Sequence, residues 1–461
     1  MTDPADDSKA TKKKGPLEYV LGLFGEVHEG ESGTALLLTL NIFLILTAYY
    51  LLKVAREPLI LKIKGGAEIK SYAAVGQSLL LIPAMAVYDW LAGRVGRMAL
   101  SFWVTMFFIG CLVVFFVLGE AGTPLGLPFF LWVGIFTVSA VAQFWSFAAD
   151  IYTERDGKRL FPIIGIGSSF GAVAGSWVAD GMYTLFGGKG DAEAHTGAAF
   201  KLMIAAAVIL GVSLATTFVI HLREGRRSKA AEKDGAKHAD DKPIGGDSGY
   251  KLLFKDKYLL LFAALILVLN VITKTGDYVL DTKLIEAAHD AGGNVEQYIG
   301  QFKANYFKWT NTVGVVVQLF MVSRIMKYVG MRGALVIMPV VSLLGYGATF
   351  AFPVLGVVFW ARTFESGLDY SLSNTTRQTL WLVTSRDVKC TTKQVIDSFV
   401  VRIGDAASAG LVFVGSHIHL PARGFIAANL VLSGLWLFIA LALGRLYFKR
   451  AQDNPEARKV A

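Results

Sequence analysis

The sequence predicts an all-α membrane protein with about twelve transmembrane helices in two halves of six. Three features carry that prediction. The 461 residues are 54% hydrophobic and 18% charged, with a mean hydropathy of +0.50, and a water-soluble domain could not cover so much apolar surface. About twelve apolar runs are long enough to cross a bilayer as helices. A charged, weakly apolar stretch at 223–257 divides them six and six, and its composition is that of a flexible linker.

In order, the runs lie near 34–54, 73–92, 99–119, 126–147, 160–186, 199–222, 258–280, 310–330, 333–353, 354–372, 394–417 and 422–447. Polar tails at 1–33 and 448–461 flank the halves at 34–222 and 258–447. No short apolar segment with a cleavage site opens the sequence, so a removable signal peptide is not expected. The net charge is +9, but its placement says more than its size. Lys and Arg crowd the N-terminal tail, the turn at Arg94 and Arg97, the 150–159 loop, the linker, 324–332, 377–393 and the tail from Arg445. Alternate loops such as 187–198 are poorer in them, which puts both termini in the cytoplasm and 187–198 and 281–309 outside. The basic excess therefore belongs to a lipid bilayer and not to nucleic acid. Cys111 and Cys390 are too isolated for a disulfide framework or a metal site. His417 and His419, two apart, point to different helix faces with no carboxylate beside them, so no metal is expected there either.

The first run ends in LLKVAREPLILKIKGGAEI (51–69), where Lys53 and Arg56 lie three apart and share a helix face. A Lys or Arg at mid-bilayer costs about 2.5–3.5 kcal/mol, against about 0.3–0.6 returned by each Leu or Ile. Such cations either snorkel to a surface or face a wet, anion-accepting cavity. The stretch falls on the outer side and yet is basic, which argues for the cavity. Gly165-Ile-Gly167-Ser-Ser-Phe-Gly171 has the look of a dinucleotide loop, but no strand precedes it, and Gly167, Gly171 and Gly175 form a small face for helix packing. The seventh run ends with Asn270, Thr273, Lys274 and Asp277, repeating the polar end of the first. Arg362, Glu365 and Asp369 lie along one side of the tenth, either as a self-neutralising ion pair or as a proton or substrate relay. Arg402 and Asp405 need a wet face or each other. With Arg377 and Lys393, cations from both halves make a polyanion pocket, and Arg suits phosphate because its donors form a planar fork.

The halves resemble each other faintly: DWLAGRVGRMAL (89–100) and SRIMKYVGMRGAL (323–335) close corresponding runs with a glycine between basic residues. Two six-helix halves joined by a charged linker resemble the major facilitator architecture, in which substrate binds near the midplane between the halves. More specifically, KVAREPLI…GGAEI (53–69) resembles the Arg-x-x-Lys-Asp…Ala-Glu-Ile stretch of the ATP/ADP translocases of plastids and intracellular bacteria. FWSFAADIYTERDGKRLFPIIGIGSS (144–169), DYSLSNTTRQ (369–378) and TKQVIDSFVVRIGD (392–405) are similar to further segments of those proteins, in the same order over both halves. Lys53 and Arg56 take the family's Arg and Lys places with the two types exchanged. Arg377 stands for a Lys, Gln378 for a Glu, and Thr273 for a helix-seven Glu used in transport, so the cargo stays open.

The resemblance implies a carrier in a bacterial inner membrane that moves an anionic solute of nucleotide type, with ATP/ADP as the family's cargo. It would work by alternating access, with no cofactor and no covalent chemistry. Lys53, Arg56 and Arg377 would bind phosphates with Lys274, Lys393 and Arg402 assisting, and Phe144, Trp145 or Tyr370 would stack a base. The alternatives are a facilitator for another solute, proton-driven through Asp277, Glu365 or Asp369, and a membrane scaffold whose charges only snorkel. An enzyme is not expected, because no nucleophile–base pair or metal cluster appears.

Overall fold

The computed structural model describes residues 31–152, 154–186, 197–231, 249–384, 388, 392–393 and 395–453. Cys390, most of both predicted tails, the 187–196 part of the 187–198 loop and the middle of the linker lie outside them.

Among the described residues, twelve long helical segments follow one another, six on each side of the linker. The first six are α1 (Ser32–Leu61), α2 (Gly66–Ala92), α3 (Arg97–Glu120), α4 (Gly126–Ile151), α5 (Glu154–Phe186) and α6 (Ala198–Ala231). After a short helix at Gly249–Lys255 come α7 (Lys257–Asp290) and α8, which runs from Val295–Val316 through a π turn at Val317–Met321 into Val322–Tyr328. Then follow α9 (Gly330–Ala351) and α10, made of Leu355–Leu368, a π turn at Asp369–Ser373, Asn374–Leu380 and a last 3₁₀ turn at Trp381–Val383. α11 (Val395–His417) begins with a π turn at Val395–Val400, and α12 (Ala422–Asp453) closes the chain. Ten of the twelve are long and apolar enough to cross a membrane; α8 and α10 are broken by their π turns and carry polar residues at the centre of the molecule.

The packing of the first half recurs in the second with an offset of six. α1 packs on α4, α5 and α6 as α7 packs on α10, α11 and α12. Likewise α2 lies on α4 as α8 on α10, and α3 on α6 as α9 on α12. The halves meet where α2 lies on α11, α8 on α5, and α1 on α8. α1 and α7 are therefore central, whereas α3 and α12 turn apolar side chains outward: Phe107 is 63% exposed and Val431 74%. In a bilayer such a face costs nothing, because lipid covers it.

Small residues bring α1 and α5 together. A Cβ at Gly167, Gly171 or Gly175 would run into the backbone carbonyls of Thr39, Phe43 and Thr47, one turn of α1 after another. The glycine run is thus a packing face.

The sequence reading ends several helices too early. α1 continues to Leu61 where 54 was expected, and α2 begins at Gly66 instead of 73. α7 reaches Asp290 instead of 280, and α8 begins at Val295 instead of 310, so most of the expected outside loop at 281–309 is helix. The reason is common to all four ends. Glu57, Lys70, Asp281 and Lys303 are charged but inward-facing, and they satisfy one another inside the protein. A hydropathy pattern reads such residues as loop.

Candidate functional site

Between the halves lies a cavity of about 270 Å³ whose walls come from α1, α2, α4, α7, α8, α10 and α11. α1 supplies Tyr49, Lys53, Arg56 and Glu57, one face over two turns. α7 supplies the matching face from the other half, with Thr273, Lys274, Asp277 and Asp281.

Lys53 is only 8% exposed, and its ammonium sits among four rings. The centroids of Phe307, Tyr50, Tyr370 and Tyr49 lie 4.5, 4.9, 5.7 and 5.8 Å away, and the ammonium donates one long hydrogen bond of 3.5 Å to the Tyr370 hydroxyl. Contacts of this kind partly replace the water an ammonium loses on burial. No carboxylate among the described residues lies within ion-pair reach of it. Arg56 stacks at 4.4 Å over the Phe130 ring and touches Glu57 only through Nε at 3.5 Å. Its two terminal nitrogens have no hydrogen-bond partner among the described residues, and the residue lines the cavity.

The remaining cavity charges are matched. Glu57 takes Lys70 at 2.5 Å and lies 3.6 Å from Lys303; Asp281 takes Lys70 at 2.7 Å and also Lys303. This four-membered cluster joins the halves and is almost dry, with Glu57 and Asp281 side chains 1% exposed. Asp277 accepts from Arg362 at 2.6 Å. The same guanidinium binds Glu365 and donates to the Thr273 carbonyl at 3.1 Å. Gly276 makes this possible, since a Cβ there would occupy the space of Arg362 and the Tyr346 hydroxyl. Asp405 accepts from Asn270 at 3.0 Å and Arg402 at 3.2 Å, and lies 3.9 Å from Lys274.

Further polar contacts tie the halves together: Lys62 to Glu296 at 2.7 Å, Lys308 to Asp180 at 2.6 Å, and Gln301 to Asp180 at 2.9 Å. Among the described residues, the ion pairs that join the halves all lie toward the end of the bundle away from the chain termini. These contacts hold the halves together at that end.

Of the residues singled out from sequence, the structure brings Lys53, Arg56, Thr273, Lys274, Asp277, Tyr370 and Asp405 to this cavity. The others lie elsewhere. Phe144 is buried within the first half against α1 and α5, and Trp145 packs on Phe161 at 5.5 Å, because their face of α4 is turned away from the second half. Arg377 is paired with Asp369 at 3.3 Å. Lys393 is held by Asp397 at 2.6 Å and Gln378 at 3.1 Å. Arg402 reaches Ser78 and Asp405 but not the cavity wall, and Glu365 is buried behind it with Arg362. Tyr49, Lys70, Asp281, Lys303, Tyr306 and Phe307 line the cavity and were not singled out. The available signal was spacing: Lys303, Tyr306 and Phe307 are three and four apart, one helix face in a stretch that reads as loop.

The sequence model of the family described as TLC ATP/ADP transporter matches residues 10–119 and 130–359. ADP,ATP carrier protein 1 of Chlamydia pneumoniae is 22% identical over 352 residues, which cover 69% of this chain and 66% of that carrier. Among solved structures, a bacterial homologue of the iron transporter ferroportin in an inward-facing state superposes with a TM-score of 0.63 at 11% identity, covering 89% of this chain and 98% of that one. The nucleoside transporter NupG superposes with a TM-score of 0.59 at 13% identity, covering 90% and 99%. These likenesses show the fold, two six-helix bundles of the major facilitator type.

Proposed function

The chain belongs to the TLC ATP/ADP transporter family, and on that premise we propose that it is a secondary carrier moving an anionic solute of nucleotide type by alternating access. The observation that carries this reading is the pair Lys53 and Arg56. They stand on one face of a central helix, at the wall of a cavity between the halves; among the described residues Lys53 has no carboxylate within ion-pair reach, and Arg56 touches Glu57 only through Nε at 3.5 Å. A buried cation without a counterion is costly, so a protein keeps one where a ligand supplies the charge. Lys274 and Tyr370 face the same space from the second half. Binding there bridges the halves, which is what lets one site be exposed alternately to either side.

The concentration of Lys and Arg near the termini supports a bacterial inner-membrane protein with both termini on the cytoplasmic side. The end held together by ion pairs is then the outer one.

The test is transport by protein reconstituted in liposomes. Labelled nucleotide should enter liposomes preloaded with unlabelled nucleotide, fail to enter empty ones, and be indifferent to a protonophore. A second reading has one observation in its favour: Asp277 reaches the cavity and shares Arg362 with Glu365. Uptake that needs a proton gradient, and is lost in Asp277→Asn, would replace exchange by proton coupling.

A further inference from the structure

The cavity's charge arithmetic limits its cargo more narrowly than a nucleotide of any length. The carboxylates in and just behind its wall are matched in number by cations: Glu57 and Asp281 share Lys70 and Lys303, Asp277 and Glu365 share Arg362, and Asp405 has Arg402 and Lys274, five of each sign. With Lys53 and Arg56 added, the site carries a net two positive charges for a ligand. At about 270 Å³, the cavity is at the lower edge of the roughly 300–1,000 Å³ of small-molecule sites. The rings around Lys53 add apolar contact but only a few hydroxyl donors.

From this we infer that the cavity takes a single phosphate monoester, such as a nucleoside monophosphate or a sugar phosphate, in preference to a polyphosphate chain. This rests on the anion-carrier reading and deepens it. A phosphate monoester carries about −1.5 to −2 at pH 7, which Lys53 and Arg56 answer between them. Arg56 offers a forked pair of donors to two phosphate oxygens, and Lys53 a point charge to the third. Each further phosphoryl group brings negative charge beyond the site's net two positive charges. It also comes close to Glu57 and Asp277, which line the same space. Desolvating an unmatched charge beside a like charge is unfavourable.

The experiment is calorimetric titration of the purified full-length chain in detergent, with EDTA present so that no divalent cation masks phosphate charge. The probes are AMP, ribose 5-phosphate, ADP and ATP. AMP and ribose 5-phosphate should bind at least tenfold more tightly than ATP, with ADP between. AMP tenfold tighter than ribose 5-phosphate supports a monoester site that also holds the base; equal affinity supports one that holds only the phosphate ester. Lys53→Gln and Arg56→Gln should each lower AMP affinity tenfold or more and shrink the AMP-to-ATP ratio. ADP or ATP binding as tightly as AMP overturns the inference and leaves the anion carrier standing. No heat from any of the four, with the protein monodisperse and folded, overturns both.

Discussion

Arg56 owes its significance to what it lacks. Its neighbour Glu57 is held by Lys70 at 2.5 Å, and the two terminal nitrogens of the guanidinium have no partner among the described residues while the group lies over Phe130. At an effective dielectric near 20, a cation about 4 Å from a phosphate gains about 4 kcal/mol before desolvation. Half of that, lost in Arg56→Ala, weakens anion affinity more than roughly tenfold. Arg56→Lys should recover only part, since the fork is gone. If Arg56 merely anchored the helix at a surface, Lys would serve fully, and Ala would lower membrane yield without changing affinity. Titration of an anionic ligand into both variants, beside their yields, separates these outcomes. Lys53 and Arg56 could be read from sequence because they stand out within an apolar run. Lys70, Asp281 and Lys303 could not, because nothing local distinguishes a polar residue paired with a distant helix from one in a loop. Phe144 and Trp145 show the converse: the motif around them was visible, but not the direction in which their helix faces.

At the scale of helices, the small face of α5 and the polar ends of α7 and α8 set the site's geometry. α1 can present Lys53 and Arg56 between the halves because its opposite face lies directly on Gly167, Gly171 and Gly175. Gly171→Leu should push α1 off α5. Overpacking of this kind costs about 1–3 kcal/mol, and the expected result is a lower midpoint of thermal unfolding in detergent together with weaker anion binding. A variant that unfolds at the same temperature and binds unchanged would mean that α1 is positioned from its other side. On α7, Thr273 lines the cavity one turn before Asp277, and its carbonyl receives Arg362 at 3.1 Å. Thr273→Glu adds a carboxylate within reach of Lys274 and close to Arg362. It should lower affinity for anions severalfold or change which solutes exchange, and transport assays that show neither would place residue 273 outside the substrate path. The glycine face and the recurring halves were legible because helix periodicity and repeat spacing are local properties. The true starts of α2 and α8 were not, since their charges are satisfied only after the halves meet.

For the molecule as a whole, the ion pairs between the halves act as a latch at one end. Asp281 is its centre, receiving Lys70 from the first half and Lys303 from its own, while Glu57 reaches across to Lys303. Under the alternating access proposed above, this end opens to bring the cavity to the other side, and the proposal then requires the latch to break in each cycle. Asp281→Asn keeps the shape and removes the charge. Hydrogen bonds to a charged partner contribute about 1.5–3 kcal/mol, so losing one should shift the balance toward the open state by roughly ten- to a hundredfold. Ser71→Cys, on the cavity wall beside Lys70, can report this in a background with Cys111 and Cys390 replaced. A membrane-impermeant thiol reagent added at the latched end should label that cysteine at least tenfold faster in Asp281→Asn than with Asp281 intact. Arg450→Gln is the control. It breaks the 2.5 Å pair with Asp256 inside the second half, so it removes an ion pair of similar geometry without touching the contact between halves. It should leave labelling unchanged. If Asp281→Asn also leaves it unchanged, while both proteins label fully after denaturation, the buried cluster stabilises the fold without gating it. The step that opens this end would then have to be sought in the Lys308–Asp180 and Lys62–Glu296 contacts.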